Sequence, residues 1–123
     1  MGKILVVDDS KVARMEVSGI LTAAGYEVLE ACGGLEGIQV AQNNPDVKII
    51  LADYNMPEMN GLVMLDSIKD ISAHKETFCG ILTTESSSTM KEIGRSIGVD
   101  VWIGKPVDPQ NLVKLTGVIM SKL

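Results

Sequence analysis

The chain has 123 residues, 46% of them apolar, and a formal charge of −5. That length is one domain by the size prior. The apolar content excludes disorder, and no apolar run approaches the roughly 18 residues of a membrane span. The acidic balance argues against nucleic acid as a direct partner, because phosphate-backbone binding needs a basic face, but it suits a cation site built of carboxylates. After Met1-Gly2-Lys3, a short apolar run meets acids too soon for a signal peptide, and Gly2 lacks the Ser or Thr offset of a myristoylation signal. A cytoplasmic protein with no membrane insertion is the expectation.

Short apolar runs alternate with longer amphipathic ones, five times. Strands are expected over residues 4–7, 28–31, 47–52, 78–83 and 101–103. The first helix runs from Ser10 or Lys11 to Ala24, with Ala13, Val17, Ile20, Leu21 and Ala24 at helical spacing, and Gly25 stops it. The second covers residues 35–43, with Ile38 and Ala41 inward, and Pro45 closes the loop after it. The third covers residues 61–70, with Leu65 and Ile68 inward, after the turn residues Asn60-Gly61. The fourth starts near Ser87 or Ser88 and carries Met90, Ile93 and Ile97. Its several competing caps, Ser86 to Thr89, and its small apolar surface make it the loosest. The fifth has Asp108 as N-cap, Pro109 at the first position, and Leu112, Leu115, Ile119 and Leu123 as its buried stripe. Strict βα alternation implies a single doubly wound (βα)₅ domain, residues 1–123, with a parallel sheet covered on both faces by right-handed crossovers. Nothing in the chain reads as an appended output domain.

Two cysteines, Cys32 and Cys79, lie far apart with no metal-ligand spacing, and read as reduced, mostly buried thiols. His74 is the only histidine. Its polar surroundings, residues 72–76, read as a solvated loop.

The strand ends hold the chemistry. Strand one ends in Asp8-Asp9, strand three in Asp53, strand four in Thr83, and strand five just before Lys105. In a parallel sheet these ends share one edge, where open α/β sheets bind ligands. Each residue has a bland reading as a cap, a strand threonine or a surface lysine. Together they are three carboxylates, a hydroxyl and an ammonium at one pocket. Clustered carboxylates repel unless a cation sits among them, and hard oxygen donors on a rigid edge suit Mg²⁺. An ionised carboxylate can attack a phosphoryl group, giving an acyl phosphate. A metal ion, a lysine and a hydroxyl would neutralise the oxygens in transit.

Several motifs carry a family resemblance. They are Ile4-Leu5-Val6-Val7-Asp8-Asp9-Ser10, Pro45-Asp46 leading to Asp53, Asn55-Met56-Pro57 with Gly61, Leu82-Thr83, and Lys105-Pro106. Over essentially its whole length the chain resembles the receiver domain of two-component response regulators, in particular the free-standing CheY-like type. The resemblance implies a flavodoxin-like sheet of order 2-1-3-4-5, an order given for CheY among general fold rules. It implies Asp53 as the phosphoacceptor, Asp9 as a direct Mg²⁺ ligand with Asp8 acting partly through water, and the Asn55 backbone carbonyl as a further ligand. Thr83 matches the hydroxyl that contacts the phosphoryl group and moves on activation. Lys105 matches the cation that pairs with the acceptor, and Pro106 a position where the preceding peptide is often cis. Trp102 matches the aromatic switch position, its bland reading being a packing residue.

Two residues depart from the family's pattern. The aromatic is usually Tyr, Phe or His, and here it is Trp102. The residue after Thr83 is usually small, and here it is β-branched Thr84. Both could crowd the coupled movement.

The resemblance further implies a sensor histidine kinase as donor and a downstream protein target, plausibly in chemotaxis, with a phosphatase as a further partner and a monomeric state. The usual contact face implicates Lys91, Glu92, Arg95, Trp102 and Lys114, otherwise a solvated surface. The protein is then a switch and not an enzyme with a released product, its phosphoryl chemistry confined to itself. Two other readings stay open. A Mg²⁺-dependent phosphohydrolase of the haloacid-dehalogenase type wants Asp-x-Asp after strand one, where this chain has Asp8-Asp9-Ser10. A flavodoxin-like electron carrier wants a Ser/Thr/Gly-rich phosphate loop there, which is missing.

Overall fold

The computed structural model describes residues 2–85 and 87–123. Five strands, β1 (Lys3–Val7), β2 (Glu27–Ala31), β3 (Val47–Asp53), β4 (Phe78–Thr83) and β5 (Val101–Gly104), form one sheet of order β2-β1-β3-β4-β5. All pairings are parallel. The helices are α1 (Lys11–Ala23), α2 (Gly34–Asn43), α3 (Gly61–Lys69), α4 (Ser88–Ile97) and α5 (Pro109–Ser121), with a 3₁₀ turn at Ser72–His74. The expected elements stand, with bounds moved by a residue or two.

Strand alternation sorts the core into two layers. Ile4 and Val6 of β1, with Ile49 and Leu51 of β3, pack against Val17 and Leu21 of α1 and Leu112 and Ile119 of α5. Leu5 and Val7, with Ile50 and Ala52, pack against Ala41 of α2 and Leu62, Met64, Leu65 and Ile68 of α3. Burial on both faces is why β1 and β3 read as continuous apolar runs.

Local signals set the helix ends. Ser10 caps α1, Asn60 caps α3, Ser87 caps α4, and Asp108 caps α5, each accepting a backbone N–H from the first turn. Among the competing caps of α4, Ser86 lies outside the described residues. Gly25 and Gly98 take positive φ just beyond α1 and α4, where a side chain would be strained.

Three expectations are corrected. His74 is fully buried, not solvated. One ring nitrogen, Nδ1, lies 2.8 Å from the Thr77 hydroxyl, and the other, Nε2, 2.6 Å from the Ala41 carbonyl. Its polar sequence neighbours face outward while the 3₁₀ turn drives the ring inward. Cys32 is exposed, because it follows β2 on the loop into α2, whereas Cys79 in β4 is buried and its thiol pKa is pushed up to about 11 by burial. Leu123 is 63% exposed, since α5 ends at Ser121 and the stripe stops at Ile119. The inward position missed on α5 is Thr116, whose hydroxyl donates to the Leu112 carbonyl. Both thiols are free, as expected for one residue just past β2 and one on β4, strands that lie three strand spacings, about 14 Å, apart. Among the described residues no helix is long and apolar enough to cross a membrane.

Candidate functional site: an acidic pocket at the carboxyl edge

Every βα loop that follows a strand C-terminus opens on the same edge, so the ends of β1, β3 and β5 bring Asp8, Asp53 and Lys105 together. Asp8 leaves β1 with its N–H still donating to Ala31 of β2. Its Oδ1 accepts the Ser10 N–H at 2.9 Å, and its Oδ2 accepts the Lys105 ammonium at 3.0 Å. The same ammonium reaches Asp53 Oδ1 at 2.8 Å. Lys105 is placed by its own N–H, which donates to the Thr83 carbonyl, and is followed by a cis bond to Pro106. Carboxylate oxygens of Asp8, Asp9 and Asp53 all lie within 4.8 Å of one another. Asp8 and Asp53 are buried, and Asp9 is exposed at the mouth.

Gly61 is required by a close approach. A Cβ there would sit 2.5 Å from the Asp53 carbonyl oxygen and 2.9 Å from Ile81. Without it, α3 can start directly against the end of β3, and the Gly61 N–H donates to Tyr54.

The charges are unequally matched. Burial raises the Asp53 carboxyl above its ordinary value, and neighbouring Asp8 and Asp9 add to this against the lowering effect of Lys105. Burial works against charge on Lys105, but its hydrogen bonds to Asp53 and Asp8 outweigh that, and its pKa is raised. The two partners of one ion pair thus fare differently. The ammonium gains from two carboxylates, whereas Asp53 is buried, shares that ammonium with Asp8 and has like-charged neighbours.

That leaves two net negative charges over a small volume. The donor set fits a hard divalent cation, with oxygen ligands only, two of them buried and fixed. The Asn55 carbonyl, two residues past Asp53 on an exposed loop, takes part in no backbone hydrogen bond among the described residues, so it too is available.

Thr83 ends β4 and is buried, but its hydroxyl is turned to the following loop. It donates to the Glu85 carbonyl at 2.5 Å and accepts the Glu85 N–H. Thr84 is exposed on that loop, outside the packed core. Trp102 lies opposite Ile81, half-buried beneath α4. A Cβ on Gly94 would come within 2.7 Å of its Cζ2, so the absence of a side chain at Gly94 makes room for the larger aromatic. Thr83, Thr84, Glu85, Lys91 and Trp102 line one cleft. Lys91, Glu92 and Arg95 are exposed on α4. Lys114 is exposed on α5 but lines the apolar groove between α1 and α5, with Ile20, Ala23, Pro109 and Val113. Sequence reasoning missed Arg14, whose guanidinium donates to the Asp8 carbonyl at 2.7 Å. The only signal was a cation one turn into α1, which reads equally as a surface residue.

Fold and pocket together define a class, a doubly wound α/β domain with a cation-accepting acidic pocket at the carboxyl edge of its sheet. The family model for the response regulator receiver domain matches residues 4–116. The chain is 38% identical over 120 residues to the chemotaxis protein CheY1 of Helicobacter pylori, covering 97% of each. It is 32% identical to the two-component response regulator ORR5 of Oryza sativa subsp. japonica, covering 95% of this chain and 87% of that protein. A crystal structure of the chemotaxis protein CheY4 of Vibrio cholerae superposes with a TM-score of 0.92 at 38% identity, covering 97% of this chain and 98% of that one. The chain belongs to the response regulator receiver domain family. Its function is phosphorylation-dependent signalling within two-component systems, and it is not a classical enzyme. The phosphohydrolase alternative finds no support.

Proposed function

We propose that this domain takes a phosphoryl group onto Asp53 from a phosphohistidine of a sensor histidine kinase, and that it signals by contact with a downstream protein in a chemotaxis-type system. The observation that carries the reading is the Lys105 ammonium held between Asp8 and Asp53, with Asp9 at the open mouth. An Asp53 carboxylate oxygen attacks phosphorus, the P–N bond breaks, and its electron pair stays on the imidazole nitrogen. Hydrolysis of the resulting acyl phosphate returns the carboxylate. Asp8, Asp9, Asp53 and the Asn55 carbonyl would hold Mg²⁺, which when bound supplies positive charge beside the phosphoryl oxygens. Lys105 holds the acceptor in place beforehand and then pairs with a phosphoryl oxygen. The Thr83 hydroxyl exchanges its bond to Glu85 for one to the phosphoryl group, and Trp102 answers within the shared cleft.

The outward surface for the target is Lys91, Glu92, Arg95 and Trp102, with Lys114 on the α5 side. A phosphatase is a further partner. The place of action is the cytoplasm, as a monomer, with no nucleic-acid contact.

The test is incubation with Mg²⁺ and acetyl phosphate, followed by intact-mass measurement. Wild type should gain one acid-stable, base-labile phosphoryl group, and Asp53→Ala should gain none. Equal labelling of the two would remove Asp53 from its role.

A further inference from the structure

The members of the acidic pocket are not equally secured. Asp8 has a backbone N–H on one oxygen and Lys105 on the other, and Asp53 has Lys105. Asp9 is exposed, and its carboxylate has no hydrogen bond or ion pair among the described residues. What locates Asp9 is the peptide unit that joins it to Asp8.

The carbonyl of that peptide lies one residue past β1. Arg14 Nη1 donates to it at 2.7 Å, the short length of a charge-assisted bond. Arg14 itself is aimed from behind. Its Nε donates to Glu30 Oε1 of β2 at 3.0 Å, and the other oxygen of Glu30 accepts the Ser18 hydroxyl at 3.1 Å. A guanidinium is a rigid planar fork, so fixing one prong on Glu30 directs the other.

We propose that Arg14 is a positioning residue for cation binding. Held by Glu30, which Ser18 secures in turn, it fixes the Asp8–Asp9 peptide and so places the Asp9 carboxylate where it shares a divalent cation with Asp8 and Asp53. This rests on the metal-binding reading above. Arg14 touches neither the cation nor the acceptor.

Two simpler roles make different predictions. As a plain brace between α1 and β2, Arg14 would matter for stability and leave metal affinity alone. As a plain charge near the pocket, it would repel a cation, and its removal would tighten binding. Positioning predicts the opposite sign. Groups that orient metal ligands typically change affinity by about 10–100-fold when removed.

The experiment is Mg²⁺ titration by calorimetry at fixed ionic strength on wild type, Arg14→Gln, Arg14→Lys and Glu30→Gln, with thermal melts to show that each is folded at the titration temperature. Arg14→Gln should bind Mg²⁺ about tenfold more weakly. Arg14→Lys should also bind weakly, because it keeps the charge and loses the fork. Glu30→Gln should weaken binding by a smaller factor. If Arg14→Gln does not fold, Arg14→Lys decides, since it keeps the positive charge and loses only the planar fork that reaches both Glu30 and the Asp8 carbonyl. Unchanged or tighter Mg²⁺ binding in the folded variants overturns the positioning role while the metal site stands. No Mg²⁺ binding by wild type overturns both.

Discussion

The centre and the β5 flank of the sheet's carboxyl edge are built differently. Six of the seven residues of β3 are buried, and β1 is buried from Ile4 to Val7. On the flank at β5, none of the four residues of the strand is fully buried, and α4 buries only Gly94. The carboxylates stand on the tightly packed strands, where their spacing cannot drift. Trp102 and the exposed face of α4 stand on the thin flank, where shifting a side chain costs little. Low local stability is the usual property of elements that move in switching. Chemistry and response thus share one edge without sharing one stiffness.

Four measurements bear on that contrast, from large effect to small. Ile50→Ala cuts a fully buried side chain on β3 and should cost about 2–5 kcal/mol in denaturant unfolding. A loss of less than half a kcal/mol would mean that the central strands are not the stiff part.

Gly94→Ala probes the thin flank. The new methyl meets the far end of the indole, which can rotate away. Overpacking costs about 1–3 kcal/mol where nothing yields, and replacing glycine within a helix returns up to about 1 kcal/mol. A net loss near 1 kcal/mol is expected, with red-shifted tryptophan emission and greater iodide quenching. An unchanged spectrum would show that Trp102 does not depend on the space at Gly94.

The third measurement concerns pH. The Asp53 carboxyl is raised, so its contribution favours the folded state below the ordinary carboxylate value of about 3.9 and is lost as pH rises through its folded value. In chelator at neutral pH its charge opposes folding. Asp53→Asn should therefore melt a few degrees higher than wild type at pH 7, with the gain shrinking toward pH 4. The raised Lys105 acts differently, stabilising across the neutral range and failing only at alkaline pH. A gain that is the same at every pH would mean that charge is not its source.

Smallest is Ile93→Ala on α4. Ile93 is 48% exposed, and the change should stay within about 0.5 kcal/mol. A core-sized loss there would erase the difference between centre and flank.

Much of this was legible beforehand, for identifiable reasons. The fully buried strands announce themselves as unbroken apolar runs, and Asp8, Asp9, Asp53, Thr83 and Lys105 each stand at or just past a strand end. The order of the strands was not written in the residues and came from family resemblance. Rotamers were also out of reach. Nothing in Thr83-Thr84-Glu85 says that the hydroxyl turns to a backbone two residues on. Arg14 and His74 were missed because each acts through a backbone carbonyl, on Asp8 and on Ala41, and main-chain partners leave no pattern in a sequence. Room for the bulk of Trp102 comes from Gly94, eight residues earlier on another element, a match that only the packing reveals.

The buried histidine carries one more consequence. A carbonyl can only accept, so the contact from Nε2 to Ala41 requires the proton on Nε2, and in the neutral ring the Thr77 hydroxyl must donate to Nδ1. The molecule therefore has a single imidazole with one defined tautomer, set on the 3₁₀ turn before β4, away from the carboxyl edge of the sheet. Its ring ¹⁵N signals form an isolated pair that no other side chain overlaps. They serve as a built-in reference. A perturbation that reaches them has travelled through the body of the domain, and one that leaves them still has been confined to the edge where it began.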